Sequence, residues 1–526
     1  MTHPIDIPEV VAFITPFLSR RDLVACVQVS HGWRVSFISY VWQCIHLTTQ
    51  DTEPENSSET HTYLKRHHKQ IQTLEVDNIP HDSDLPYLEI EFPKLRNLGL
   101  KFSRSHEKGR WRELVWDILR QLGPQLRTLN LNGMNEVKLE GRDLDHCSIW
   151  RILVGFQRDA WDEERLLELK FEKGQLFLDR MKDQDAKVIL QLDSLVLEQV
   201  GLAFMMRSHD DWASEWPQRL TQARIQNLVM RNCKPLSYQF LLLEGCRELR
   251  SLTWDYSSAL ESSNIRLRFL QRLQENYWSH LESLTFRMIN LSDSDLGEIL
   301  RAIRPLTNLS LNGTSFGRIC TEILADVREK HWKTLKRLSL LFCSSLSGAS
   351  AHRLLCSLPN LEVFQARELT AQSVMSITEP WVCKGLREFR VGLVSRERPH
   401  FNIPSLEPAP LAATVFLARL AELQHLEVFE ILKMTTAVGA GLSPEYEYQR
   451  LRMDTGLDML RSLRSMRELR LLEHTHQMMG LDEAQWMVNN WPELEAVYLG
   501  NANCEAAVFD SMKVYFEEHG VKCLRK

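Results

Sequence analysis

Leu335-Lys336-Arg337-Leu338-Ser339-Leu340-Leu341-Phe342-Cys343 carries apolar residues at its first, fourth and sixth positions and a cysteine at its ninth. Arg337, Leu338, Ser339 and Leu340 alternate, so the two leucines point one way and their neighbours the other, which is the period of a strand. The same six-residue phrase occurs fifteen times between residues 71 and 499. Copies include Ile71-Leu74-Val76, Leu126-Leu129-Leu131, Leu166-Leu169-Phe171, Leu281-Leu284-Phe286, Leu386-Phe389-Val391 and Leu494-Val497-Leu499. The copy at Ile225-Leu228-Met230 also ends in a cysteine, Cys233. Intervals are uneven, and the steps from 386 to 426 and from 426 to 466 are longer than most.

This phrase is the strand portion of the leucine-rich repeat, whose period is about 20–29 residues. A helical pattern follows the strands. In residues 293–303, Leu296, Ile299, Leu300 and Ile303 form one apolar stripe, and Asp293 and Asp295 favour the helix start. Similar stripes lie in 319–332, 351–358 and 481–491. The expected fold is α/β, a leucine-rich-repeat solenoid or horseshoe in which each unit is buried by its neighbours. Cys233 and Cys343 are read as structural, since a small buried side chain suits that turn. Residues 132–165, 395–415 and 433–450 are long connections, and 506–524 read as a final helix and partial strand that cap the array.

Composition narrows the function. The 526 residues exceed the span of one compact core, and 44% hydrophobic with 25% charged residues is ordinary for a folded protein. A net charge of −6 gives no general basic footprint for nucleic acid. No run approaches the roughly 18 apolar residues of a membrane span. Eleven cysteines without a C-x-x-C pair, and no leader at Met1-Thr2-His3-Pro4, indicate reduced thiols in the cytoplasm or nucleus.

Residues 5–47 lack the repeat and read as three short helices. The first buries Val10, Phe13, Ile14, Phe17 and Leu18. The second opens on the capping box Ser19-Arg20-Arg21-Asp22, and the third presents Trp33, Phe37 and Val41. Ile7-Pro8-Glu9-Val10, Phe17-Leu18, Arg21-Asp22-Leu23, Cys26-x-x-Val29-Ser30-x-x-Trp33-Arg34 and Val41-Trp42 follow the F-box pattern in order and spacing. The chain therefore resembles the F-box proteins with leucine-rich repeats, although Tyr40-Val41 stands where that family often has Pro and Leu. The resemblance implies a substrate receptor of Skp1–cullin–F-box ubiquitin ligases. The helices would dock on a Skp1-like adaptor, and through it a cullin, while the solenoid holds a protein substrate. The resemblance places the adaptor surface on Pro8, Val10, Leu18, Leu23, Val29, Trp33 and Trp42. Leu23 and Trp33 serve equally well as the module's own core. A second reading is a repeat scaffold unrelated to ubiquitin, with the helices as an end cap. The chain divides into a helical module at 1–48, a polar connector at 49–64 and the repeat region with its cap at 65–526.

No nucleophile elbow, phosphate loop, dinucleotide fingerprint or H-E-x-x-H motif is present. His67-His68 and His474-x-His476 lack further ligands at zinc-like spacing and read as surface histidines. No enzyme, cofactor, metal, nucleic acid or membrane is expected. The variable strand positions instead line the concave face, among them Thr128, Asn130, Lys170, Asp255, Asn312, Gln365, Glu388, Glu430, Glu468 and Arg470. Arg337, Arg367 and Arg390 fall on neighbouring strands and suit an acidic or phosphorylated partner.

Overall fold

The computed structural model describes residues 8–48, 54–79, 90–102, 125–133, 168–172, 175–177, 192–198, 201–203, 224–233, 236–255, 260, 263–327, 331–376, 379–394, 410–432, 453, 456–471, 479–500 and 506–525. Most of the long connections 132–165, 395–415 and 433–450, together with Leu166 and the His474–His476 pair, lie outside them. The chain forms two compact units, Met1–Leu249 and Arg250–Lys526.

The first unit opens with three helices, α1 (Pro8–Ile14), α2 (Arg20–Val29) and α3 (His31–Val41). The Asp22 amide donates to Ser19 Oγ at 3.3 Å while Asp22 Oδ2 accepts from the Ser19 amide at 3.0 Å, closing the expected capping box. Ser30 caps α3 through the Trp33 amide. Val11, Leu23 and Phe37 form the buried centre of the three helices, with Ile14, Leu18, Cys26, Val27, Trp33, Tyr40 and Val41 packed around it. This corrects the apolar stripe expected of the first helix. Val11 is inside, whereas Phe13 and Phe17 are 74% and 78% exposed. The α-helix ends at Ile14 and gives way to a 3-10 turn, Thr15–Phe17, so the helical period breaks and Phe17 leaves the buried face.

The parallel sheet of this unit runs β1 (Cys44–Leu47), β2 (Thr73–Ile79), β3 (Asn97–Phe102), β4 (Thr128–Asn132), β5 (Glu168–Glu172), β7 (Ser194–Glu198) and β9 (Asn227–Arg231). Short strands β6 (Gln175–Phe177) and β8 (Gly201–Ala203) pair separately. β1 comes only two residues after α3, with Cys44 opposite Thr73 and Leu47 opposite Val76. Residues 49–64, read as a connector, contain most of a helix at Pro54–His67 whose Leu64 is buried.

The second unit continues the pattern with β10 (Ser251–Asp255), β11 (Ser283–Arg287), β12 (Asn308–Asn312), β13 (Arg337–Leu340), β14 (Val363–Thr370), β15 (Glu388–Val394), β16 (Val428–Ile431), β17 (Glu468–Leu471), β18 (Ala496–Leu499) and β19 (Lys522–Arg525). Every neighbouring pair is parallel, and the phrase stays in register. One inward column reads Leu252, Leu284, Leu309, Leu338, Phe364, Phe389, Phe429, Leu469 and Val497, all at most 1% exposed. Full burial of each such side chain is worth about 1.5–3 kcal/mol. Within the column Phe364, Phe389 and Phe429 stack at 6.0 Å centroid spacings.

Helices back this column as the stripes predict. Asp293–Ala302 buries Leu296, Ile299 and Leu300 and is capped by Ser292. Helices Gly348–Ser357 and Leu481–Asn490 match their expected spans, whereas the stripe at 319–332 yields a shorter helix, Arg318–Ala325. Parallel strands joined through helices at this period make the α/β arrangement of a leucine-rich repeat. Among the described residues no helix is long and apolar enough to cross a membrane.

The turn after the phrase is held by two devices. Cys343 Sγ donates to the Leu311 carbonyl at 2.9 Å and Cys233 Sγ to the Leu197 carbonyl at 3.5 Å, so each cysteine ties one repeat to the one before. Burial pushes the Cys343 thiol up, which keeps that donor protonated. The residue two beyond the last apolar position is left-handed in five copies: Gly133, Asn232, Met288, Gly313 and Phe342, with φ between +50° and +81°. Glycine and asparagine suit that geometry, but for methionine or phenylalanine it costs about 1–2 kcal/mol. The Met288 amide donates to the Asn312 carbonyl and the Gly313 amide to the Leu341 carbonyl, so the turn links successive repeats through its backbone.

Candidate functional site

Two surfaces concentrate groups with binding chemistry. On the helices, Pro8 and Val29 are exposed, Val10, Leu18, Trp33 and Trp42 are half-buried, and Leu23 is 8% exposed in the helical core. Trp33 leans on Phe37 at 5.5 Å. Trp42 stacks on His67 with centroids 4.1 Å apart and rings 8° from parallel, beside Tyr63. Burial lowers the His67 pKa, leaving a neutral ring suited to this stack. The seven residues therefore do not share one exposed surface. Phe13 and Phe17, whose rings lie 6.0 Å apart, supply the large exposed apolar area instead. Periodicity hides them, because their spacing of four is that of a buried stripe.

The second surface is the sheet face that carries the variable positions of the second unit. Here one polar row crosses consecutive strands. Ser339 Oγ lies 2.9 Å from both Asn312 Oδ1 and Gln365 Oε1, and Gln365 Nε2 donates to Glu388 Oε1 at 2.7 Å. Arg390 approaches Glu388 at 2.6 Å and Glu430 at 3.4 Å. Arg470 meets Glu430 at 3.5 Å, donates from Nε to Glu468 Oε2 at 2.9 Å, and lies over the Tyr498 ring. Glu430, 5% exposed, is thus flanked by two guanidinium groups.

The expected arginines separate along this face. Arg390 belongs to the neutralised row. Arg337 stands two positions earlier in the repeat, opposite Val363, and Arg367 lies two residues beyond Gln365 on β14. Arg337 and Arg367 form no ion pair among the described residues. Arg337 borders a hollow of about 210 Å³ lined also by Asn308, Ser310, Ser339, Gln365 and the acidic Glu388. That space admits a side chain and is smaller than the 300–1,000 Å³ usual for a small-molecule site.

One buried pair resembles a nucleophile with its base, and its electrostatics argue against that role. Cys356 Sγ lies 3.6 Å from His352 Nε2. Burial, then the Arg419 charge, push His352 down to about 4, while burial and Glu379 push Cys356 up to about 11. Both groups are held neutral, opposite to the thiolate a cysteine nucleophile needs. His331, missed in the sequence, is likewise structural. Its Nδ1 accepts from the Leu306 amide and its Nε2 reaches the Leu300 carbonyl. Among the described residues no group of three His, Cys, Asp or Glu side chains is placed to hold a metal ion.

No protein-family model and no curated protein matches the sequence. Among solved structures the chain is similar to the crystal structure of a TLR13–ssRNA13 complex, at 14% identity over 86% of this chain and 63% of that one, with a TM-score of 0.33. It is also similar to the Rad7 and Elc1 complex in yeast, at 13% identity over 88% of this chain and 86% of that one, with a TM-score of 0.35. The chain thus spans less than two thirds of the TLR13 chain.

Proposed function

We propose that this protein is a non-catalytic receptor whose N-terminal helices dock a Skp1-like adaptor, and through it a cullin, while the repeat region binds a protein substrate. The proposed parts are a helical module at 1–48, a connector at 49–64 and the repeats from 65. The observation that carries the adaptor reading is the exposed Phe13–Phe17 pair, on helices whose own core is formed by Val11, Leu23 and Phe37. Large exposed apolar groups on so small a module serve an interface better than they serve folding. Val10, Leu18, Trp33 and Trp42 would border that interface, and Leu23 would support it from within.

A second reading has its own support. β1 follows α3 without a spacer, and Trp42 is engaged by His67, as an end cap on the sheet requires. Co-purification of the full chain with a Skp1-like adaptor separates the two. Capture that weakens at least roughly ten-fold in Phe13→Ala/Phe17→Ala, with an unchanged melting temperature, supports the receptor. A folded chain that captures no adaptor leaves the cap reading and withdraws the ubiquitin link.

A further inference from the structure

The left-handed turns pose a question that folding alone does not answer. The backbone of this turn links repeats at Met288 and Gly313, and of the five left-handed residues only Met288 and Phe342 carry large apolar side chains. Those side chains are 52% and 64% exposed, so burial does not account for them. They flank Gly313 in successive repeats. A Cβ on Gly313 would come within 2.3 Å of Met288 Sδ, so the methionine lies across the glycine. The result is an exposed apolar edge along β11, β12 and β13, kept despite an unfavourable backbone.

The same strands carry the hollow beside Arg337. The two carboxylates nearest in the repeat are occupied. Glu362 pairs with Lys336 at 2.8 Å, and Glu388 is held by Gln365 and Arg390. Glu388 lines the hollow as well, with its charge offset by Arg390 and an oxygen held by Gln365, so an incoming carboxylate meets the Arg337 guanidinium beside an acid that is already neutralised. Arg337 and Phe342 are five positions apart in one repeat, and since the strand ends at Leu340 they are separated by less than the roughly 16 Å of five fully extended residues.

Resting on the receptor reading, we propose that this face binds an extended segment of a protein partner through two anchors. An acidic side chain enters the hollow against Arg337, and an apolar side chain about five residues away packs on Met288, Gly313 and Phe342. The acid supplies register and the apolar residue most of the buried area.

Fluorescence polarisation on the full chain tests this with labelled serine–glycine peptides carrying one leucine and one glutamate, in both orders and at varied spacing. The expected result is binding that depends on spacing and vanishes when the glutamate is replaced by lysine. It should weaken roughly ten-fold or more in Arg337→Glu and in Phe342→Gly. Phe342→Gly should meanwhile melt no earlier than the parent, because glycine suits the turn. The proposal is overturned if no peptide binds below about 1 mM, if both variants bind like the parent, or if Phe342→Gly unfolds earlier. Capture of labelled oligothymidylate with the peptides silent overturns it too. Adaptor capture measured on the same preparations keeps the two proposals apart. Intact adaptor binding with silent peptides removes only the peptide site, and the reverse removes only the adaptor.

Discussion

Burial holds His352 neutral, with its pKa pushed down to about 4. In the unfolded chain that imidazole titrates near ~6.5. As pH falls the unfolded chain takes up the proton first, so the stabilisation is complete above about 6.5 and is lost on the way to 4. Chemical denaturation between these limits should show a loss on the order of 2–3 kcal/mol that is absent from His352→Gln. An unchanged pH slope in that variant would assign the acid sensitivity elsewhere. Glu430 makes a different prediction. Glu430→Gln removes the shared partner of Arg390 and Arg470, but Glu388 and Glu468 still neutralise them. The expected destabilisation is therefore about 1–2 kcal/mol, below the 3–5 typical of an orphaned buried charge. A larger loss by urea titration would mean that the neighbours cannot compensate. Neither role is legible in the sequence, because Glu430 depends on which strands the register makes adjacent and His352 on how deeply its helix is buried.

Elements were legible where periodicity is unbroken. Helix Asp293–Ala302 follows from its stripe and early acids, and its Ser292 cap predicts a cost of about 1 kcal/mol for Ser292→Ala. Thermal melts of that variant against Ser294→Ala, whose hydroxyl does not cap the helix, would check the assignment. Periodicity failed at α1, where Pro16 and a 3-10 turn shift the phase within three residues. It also concealed β1. Trp42, Ile45 and Leu47 occupy the first, fourth and sixth positions of the repeat phrase, but Trp42 also completes the helical motif, and one residue cannot be sorted by two patterns at once. The face row was half visible: its residue types were readable as variable strand positions, whereas their mutual neutralisation was not. Which arginines remain unpaired depends on single-residue stagger between strands, to which a six-residue phrase is blind.

Across each unit, stability is shared between neighbouring repeats and passes along the sheet only through their interfaces. The stacked Phe364, Phe389 and Phe429 offer a way to see this. Phe389→Ala should cost about 3–5 kcal/mol through the cavity it opens. Hydrogen exchange should then quicken in β14, β15 and β16 while β11 and β12 keep their protection. Uniform acceleration over the second unit would show instead that it unfolds as a single block. The junction at the chain's start has a mechanical meaning. Gln43 accepts both the Gln72 and Thr73 amides, and its side-chain amide donates to Gln72, directly after α3 ends. Whatever pulls on the helices therefore loads the first parallel ladder in shear, since no slack leash intervenes, and torque applied at one reaches the other within a single peptide turn.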